Sequence, residues 1–340
     1  MNPLTVPPAP ASRSKAIVIA CQGGGSHTAF TGGVLQTLLS ALDRSRYRIA
    51  GLSGTSGGAL CAAIAWFGLL QDDPKHGAQL LESFWQEISA RQPMDAFSNT
   101  FLVLLQRSAG YLALPEISPY QVPATGQDYL ASVIERHIDF AQVRKSLKPD
   151  SPRLMVGAVE VRSGEFTAFH SHHAEPEKQI SVEALLASAA IPELFRAVEV
   201  GSGVYWDGLF SQNPPIRGFL AGLQDRDDKP DEIWVIQINP DKRDTEPRLT
   251  SDITDRRNEL AGNLSLKQEL FFIEQANDWL ARGWLSADHF KHVEVRRLRL
   301  SRELDYPSKL DRSPSFINGL LDEGRRAGAD FLDQLGKTGT

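Results

Sequence analysis

The sequence predicts an α/β fold built on a mainly parallel sheet. Three observations predict it. A short apolar run at residues 15–20 enters a glycine turn and is followed by leucines at helical spacing. A second apolar run, closing on Gly51-Leu52-Ser53, enters another glycine-rich turn and leaves as the small-residue, helix-prone stretch Cys61-Ala62-Ala63-Ile64-Ala65-Trp66. Two strand–helix units in succession are the start of a parallel sheet, because each crossover returns the chain to the same end. The bulk properties agree: the chain has 340 residues, of which 41% are hydrophobic and 23% charged, the balance of a globular protein.

Residues 1–14 are rich in Pro, Ala and Ser and lack the apolar core of a secretory signal, so they read as a disordered lead-in. Residues 15–338 then form a single domain. The first strand ends in Cys21-Gln22-Gly23-Gly24-Gly25, and a helix over 29–42 carries Leu35, Leu38, Leu39 and Leu42 on one face. Gly32 and Gly33 weaken that helix and are expected to allow close packing. After the second strand and its helix, residues 71–152 change character and read as a mostly helical insertion. Amphipathic helices are expected around 78–89 and 129–146. Between them the apolar stretch 97–114, near Pro93, Pro115, Pro119 and Pro123, is either core helix with loops or a wall beside a site.

Residues 154–161 and 166–169 form a strand hairpin around Ser163-Gly164. His170, His172 and His173 follow; nearly consecutive histidines of this kind are usually a polar loop rather than a metal site. A helix over 181–190 starts at Ser181 as N-cap and stops at Pro192. A second hairpin, 198–200 with 204–206 around Gly201-Ser202-Gly203, delivers Asp207-Gly208. A buried strand at 232–238, a long helix at 255–285, a strand at 293–300 and a terminal amphipathic helix at 319–335 complete the chain. It carries no internal repeats.

The chemistry concentrates in three places. Gly54-Thr55-Ser56-Gly57-Gly58 matches G-x-S-x-G, a strand-to-helix turn that lifts a serine hydroxyl clear of the sheet, with Gly54 and Gly58 letting the backbone pass. The plain alternative is a helix N-cap at Ser56. Gly23-Gly24-Gly25 is a tight turn, a phosphate cradle or an oxyanion hole. Neither G-x-G-x-x-G nor a P-loop is present, which favours backbone N–H groups aimed at a carbonyl oxygen. Asp207 is either an Asx turn or a carboxylate at the rim of the sheet, where Ser56 also sits. A buried carboxylate has a raised pKa and becomes a better base for a serine.

Several classes are excluded. The net charge of −6 and the absence of a basic block argue against nucleic-acid binding. The 2 cysteines, Cys21 and Cys61, lie in apolar or glycine-rich surroundings and read as buried thiols rather than a disulfide framework. No metal, calcium loop or cofactor is expected, and no apolar run is long enough to span a membrane. The expected location is cytoplasmic.

Taken in order, Gly23-Gly24-Gly25, Gly54-Thr55-Ser56-Gly57-Gly58, the segment Leu185-Leu186-Ala187-Ser188-Ala189-Ala190-Ile191-Pro192 and Asp207-Gly208 with Asn213-Pro214-Pro215 resemble the patatin-like phospholipases over roughly residues 16–238. The resemblance implies a three-layer α/β/α fold and a dyad of Ser56 as nucleophile and Asp207 as partner. It also implies an oxyanion hole from the amides of Gly23, Gly24 and Gly25, with Gly208 supporting the Asp motif. The substrate it implies is a phospholipid or other acyl lipid at a membrane surface. The sequence departs from the family pattern at Gln22, where many members carry Asp; at His27, where many carry Arg or Lys; and at Leu209, where Gly or Ala is common. Two alternatives stay open: a Ser-Asp-His hydrolase using His289 or His292, and a silent lipid-binding module. Head group, chain length, acyl acceptor and oligomeric state leave no mark in the sequence.

Overall fold

The strand β1 (Lys15–Cys21) is buried at every residue after Lys15, and its side chains alternate between two cores. Ile17, Ile19 and Cys21 enter one, and Val18 and Ala20 the other. A strand apolar on both faces must have cover on both, which is the condition for a parallel sheet. In this computed structural model, residues 14–92, 95, 99, 100, 103, 118–192, 194–221 and 225–337 are described. The expected lead-in therefore lies outside the described residues except for Ser14, and so does most of the 97–114 stretch.

β1 runs parallel to β2 (Tyr47–Gly54) on one side and to β7 (Glu232–Gln237) on the other. β2 pairs in parallel with β3 (Arg153–Glu160), and β7 with β8 (Glu294–Arg299). The expected hairpins supply the antiparallel part: β4 (Phe166–His170) and β6 (Gly203–Asp207) both pair with β3, and β5 (Val198–Val200) pairs with β6. The strand order is β5-β6-β3-β2-β1-β7-β8, with β4 on β3. β8 carries three arginines because it closes the sheet. Arg296 pairs with Glu232 at 2.8 Å, and Arg297 and Arg299 reach Asp241 at 3.3 and 3.7 Å.

The first core packs the sheet against α1 (Ala29–Ala41), α2 (Gly57–Leu70), α3 (Pro74–Ile88) and α8 (Pro314–Lys337). Gly33 and Gly324 do what Gly33 was expected to do. A Cβ on either would run into the backbone of the facing helix, at Leu321 O and Phe30 O. The opposite face is covered by α7 (Thr250–Ala281) through Leu266, Leu270 and Ile273, with Ile216 and Phe219 beside them. The result is three layers, α/β/α.

One expected helix is two. Residues 129–146 split into α4 (Thr125–His137) and α5 (Phe140–Ser146). Asp139 accepts the Ala141 and Gln142 N–H groups at 2.9 and 3.0 Å and starts a new helix. Val133, Ile134, Ile138 and Val143 are all buried, so the apolar pattern continues across the break and conceals it. The short helix α6 (Val182–Ser188) begins as expected on Ser181, whose hydroxyl accepts Ala184 N–H at 3.1 Å. Both cysteines are free and buried. Among the described residues, no helix is long and apolar enough to cross a membrane.

Candidate active site

Strand register gathers the three motifs at one edge. Cys21 aligns with Gly54 and with Ile236, so the chain leaves β1, β2 and β7 at the same end. Gly54 aligns with Val156 of β3, and Asp207, at the end of β6, pairs with Ala158 two residues further on. The carboxyl edge of the sheet thus holds Gly23-Gly24-Gly25, Ser56 and Asp207 together.

Ser56 occupies the turn between β2 and α2 with φ 55 and ψ −133. A non-glycine residue in that region costs about 1–3 kcal/mol and persists only when its surroundings enforce it. Here the enforcement is the glycine pair. A Cβ on Gly54 would meet the backbone of Gly58, and a Cβ on Gly58 would lie 2.5 Å from Cys21 O and 2.7 Å from Gln22 O. Ser56 stands at the N-cap position of α2, but its side chain makes no capping bond to the helix. Its backbone N–H is held instead by Ser188 Oγ at 3.0 Å, and that hydroxyl donates to Gly157 O at 2.6 Å.

The glycine run is fixed from behind. Gln22 donates through Nε2 to Gly262 O and Asn263 Oδ1, while its Oε1 accepts the N–H groups of Ile238 and Asn239. A carboxylate at this position could not make the two donations, which accounts for the amide. Gly23 departs from expectation: its N–H is donated to Asn213 Oδ1 at 2.7 Å and is not free for a ligand. Asn213 is itself tied to α7, donating to Gly262 O at 3.2 Å and, through its backbone N–H, to Ser265 Oγ at 3.0 Å. The N–H groups of Gly24, Gly25 and Gly57 have no acceptor among the described residues. Gly25 has φ 56, and a Cβ there would strike Lys309 O. Gly57 opens α2, whose N-terminus favours negative charge nearby.

Asp207 is 1% exposed. Oδ1 accepts Leu209 N–H at 2.8 Å, and Oδ2 is buried without a hydrogen-bond partner among the described residues. Burial pushes its carboxyl up to about 7, against the opposing pull of the Leu209 N–H, the Ser56 hydroxyl and the Lys309 charge. The Ser56 hydroxyl is close enough to exert that pull but does not complete a bond to Oδ2. Gly208 lets the chain turn against β3, since a Cβ there would overlap Gly157 O.

Ser56, Asp207, the glycine run, Asn213 and Thr55 line one cleft of about 110 Å³, walled by Ile191, Pro192, Leu194 and Leu209 on one side and by Tyr306, Lys309 and Leu310 on the other. His27 lies behind the glycine run. It is buried, bonded through Nε2 to Ser308 Oγ at 2.8 Å, and burial lowers its pKa to about 3, so it is neutral. His289 and His292 precede β8, whose first residue pairs with Glu232 at the start of β7. They sit at the opposite end of the sheet from Ser56. The His170 and His173 rings meet at a tilt of 56° with centroids 4.7 Å apart, and His172 is hydrogen-bonded to Lys148 O. Among the described residues, no group of His, Cys, Asp and Glu is arranged to hold a metal.

In the sequence, Ser188 and Asn213 stand only as members of motif segments, and Lys309 and Tyr306 carry no signal at all. Ser188 and Asn213 act by hydrogen bonds to residues more than a hundred positions away, which no local pattern encodes.

No curated protein matches the chain. Among solved structures it is similar to VipD from Legionella pneumophila, at 15% identity and TM-score 0.45, over 96% of this chain and 67% of VipD. It is also similar to the type III effector protein ExoU, at 16% identity and TM-score 0.36, over 93% of this chain and 53% of ExoU. The ExoU–SpcU complex from Pseudomonas aeruginosa matches at 13% identity and TM-score 0.33, over 92% and 52%. The chain therefore spans about half the length of ExoU. Residues 19–220, more than half of the chain and the stretch holding Gly23-Gly24-Gly25, Ser56 and Asp207, match the model of the patatin-like phospholipases; the chain belongs to the patatin-like phospholipase family.

Proposed function

We propose that the protein is a serine acyl hydrolase of the phospholipase A or lysophospholipase type, using Ser56 as nucleophile and Asp207 as its base. The observation that carries this reading is the pairing of a strained Ser56, whose side chain makes no capping bond, with a buried carboxylate whose Oδ2 has no hydrogen-bond partner among the described residues and whose pKa stands near neutrality. Asp207 takes the Ser56 proton as Oγ attacks the ester carbonyl. The oxyanion is met by the N–H groups of Gly24, Gly25 and Gly57, while Gly23, bonded to Asn213, anchors the loop. Asp207 then returns the proton to the departing alcohol oxygen. Water attacks the acyl-enzyme, again giving its proton to Asp207, which passes it to Ser56 Oγ as the bond to the acyl carbon breaks and the fatty acid leaves. No histidine takes part, in keeping with the placement of His289 and His292 at the far end of the sheet.

We also propose that residues 15–338 act as one domain in which the insertion 71–152 borders the site. Asn99 bonds to Leu310 O and Arg312 N–H, beside the cleft wall, and Arg196 bonds to Pro119 O and Val122 O beside Leu194. The substrate is presented at a lipid surface.

The test compares wild type, Ser56→Ala, Asp207→Asn and a His289→Ala/His292→Ala double variant on a mixed-acyl phospholipid, following free fatty acid. Loss in the first two variants with retention in the third supports the dyad. Retention by Ser56→Ala, or loss in the histidine variant, overturns it.

A further inference from the structure

Lys309 is a cation that the proposed chemistry does not use. It follows Ser308, the partner of His27, and its backbone carbonyl packs on Gly25, so the residue is fixed to the glycine loop. Its side chain lines the same cleft as Ser56 and Asp207 and is half-buried. The ammonium donates to Asn239 Oδ1 at 3.2 Å and lies 5.4 Å from the centroid of the Tyr306 ring. Asn239 Oδ1 is its one hydrogen-bond acceptor among the described residues, and no carboxylate comes within 4.0 Å of it there. Ammonium groups carry three donors, so two are uncommitted. His27, neutral and tied to Ser308, supplies no charge beside the loop, which leaves Lys309 as the cation lining this cleft among the described residues.

Resting on the dyad reading, we propose that Lys309 forms a subsite for the phosphate of the substrate's head group, so that the cleft selects anionic phosphodiester lipids over neutral esters. The scissile carbonyl meets the glycine-loop amides, and the phosphate, a few glycerol bonds away, meets the ammonium of the segment packed against that loop. Tyr306 and Asn239 flank the ammonium. Lys309 is faced by Asp207 from β6, by Asp255 and Glu259 from α7, by His27 behind the loop and by Tyr306 on its own segment. Burial lowers its pKa to about 8 against the raising charges of Glu259, Asp207 and Asp255. A phosphodiester keeps its single charge through that range, so the wild-type preference falls as pH rises past about 8.

The experiment measures kcat/KM from about pH 6 to about pH 9 on a phospholipid and on a neutral diacylglycerol in the same mixed micelles, for wild type, Lys309→Met and Lys309→Arg, with the variants compared at about pH 7. The ratio of the two substrates cancels any ionisation of Asp207 in the free enzyme. Lys309→Met is expected to lower the phospholipid-to-neutral ratio by about tenfold or more, the value of one charge-assisted hydrogen bond, and to make it independent of pH. Lys309→Arg is expected to restore part of it. An unchanged ratio, or an equal loss on both substrates, overturns the proposal. So does an unchanged ratio accompanied by inorganic phosphate inhibiting wild type but not Lys309→Met, because the ligand is then free phosphate and not a head group. Ser56→Ala on the neutral ester is read alongside. Activity there overturns the dyad reading, whereas the Lys309 ratio is read from the substrates whichever residue attacks.

Discussion

Asp207→Asn should stabilise the protein while inactivating it, and the gain should grow as pH rises from about 4 to about 7. In the folded chain the carboxyl is buried, and its pKa stands at about 7 against an ordinary 3.8. Between those values the native state holds a proton that the unfolded state has released, so stability falls as pH rises. A pKa that differs by one between the folded and unfolded chain is worth about 1.36 kcal/mol, so above pH 7 the wild type carries a penalty of about 4 kcal/mol at this residue. Asparagine cannot ionise. Its Oδ1 can keep the Leu209 N–H, and its Nδ2 replaces an oxygen that has no hydrogen-bond partner among the described residues, facing the Ser56 hydroxyl. If that amide stays unpaired, about 1–3 kcal/mol of the gain is lost. The assay is urea unfolding followed by tryptophan fluorescence for both proteins at about pH 5 and about pH 8.5. All other titrating groups are common to the pair. At about pH 5 the wild type already carries about 1.6 kcal/mol of that penalty, so the expected result is an Asn variant that gains about 3 kcal/mol on the wild type between the two pH values and is the more stable by about 1–4 kcal/mol at the higher one. A difference that does not change with pH, or a wild type that gains on the variant as pH rises, would refute the claim that Asp207 is held desolvated.

Three other outcomes follow from the same geometry. In kcat/KM, activity should climb through about pH 7 as Asp207 loses its proton, and Lys309→Met should move that midpoint upward by removing a charge that lowers it; a profile flat from about pH 5 to 9 contradicts the role of Asp207. Gly58→Ala should destabilise by several kcal/mol or prevent folding, since the new methyl meets Cys21 O and Gln22 O, both backbone atoms that cannot swing aside; a wild-type urea midpoint would contradict the elbow packing. Ser188→Ala should leave the Ser56 N–H unpaired in the interior, costing about 1–3 kcal/mol and lowering kcat more than it changes KM, which steady-state kinetics and urea unfolding read separately.

The parts of this site that repeat locally can be read from the sequence. Gly54, Ser56 and Gly58 announce the elbow because a strand-to-helix turn constrains residues two apart, and both hairpins have Gly at their turns, Gly164 and Gly201, each with positive φ. Asp207 is visible as a carboxylate at a strand end. Helix limits are less legible. α7 is preceded by Leu249, which makes no side-chain cap, so its start carries no signal; its end is marked by Gly283, φ 73, two residues before the expected limit at 285. α8 starts five residues earlier than expected, at Pro314, a residue suited to a first helical turn. What the sequence does not disclose is the support: Ser188 under Ser56, Asn213 on Gly23 and Lys309 over Gly25 are joined to their partners only by tertiary folding. The Asn213 bond also changes which amides are free, and that change is invisible in a run of three identical glycines.

The most direct test of the Ser56–Asp207 dyad is covalent labelling by a fluorophosphonate probe, with the modified residue located by mass spectrometry in wild type, Ser56→Ala and Asp207→Asn. The dyad predicts one adduct, on Ser56, absent from Ser56→Ala and formed far more slowly in folded Asp207→Asn. Labelling at another serine, or undiminished labelling of Ser56 without the Asp207 carboxylate, would contradict it.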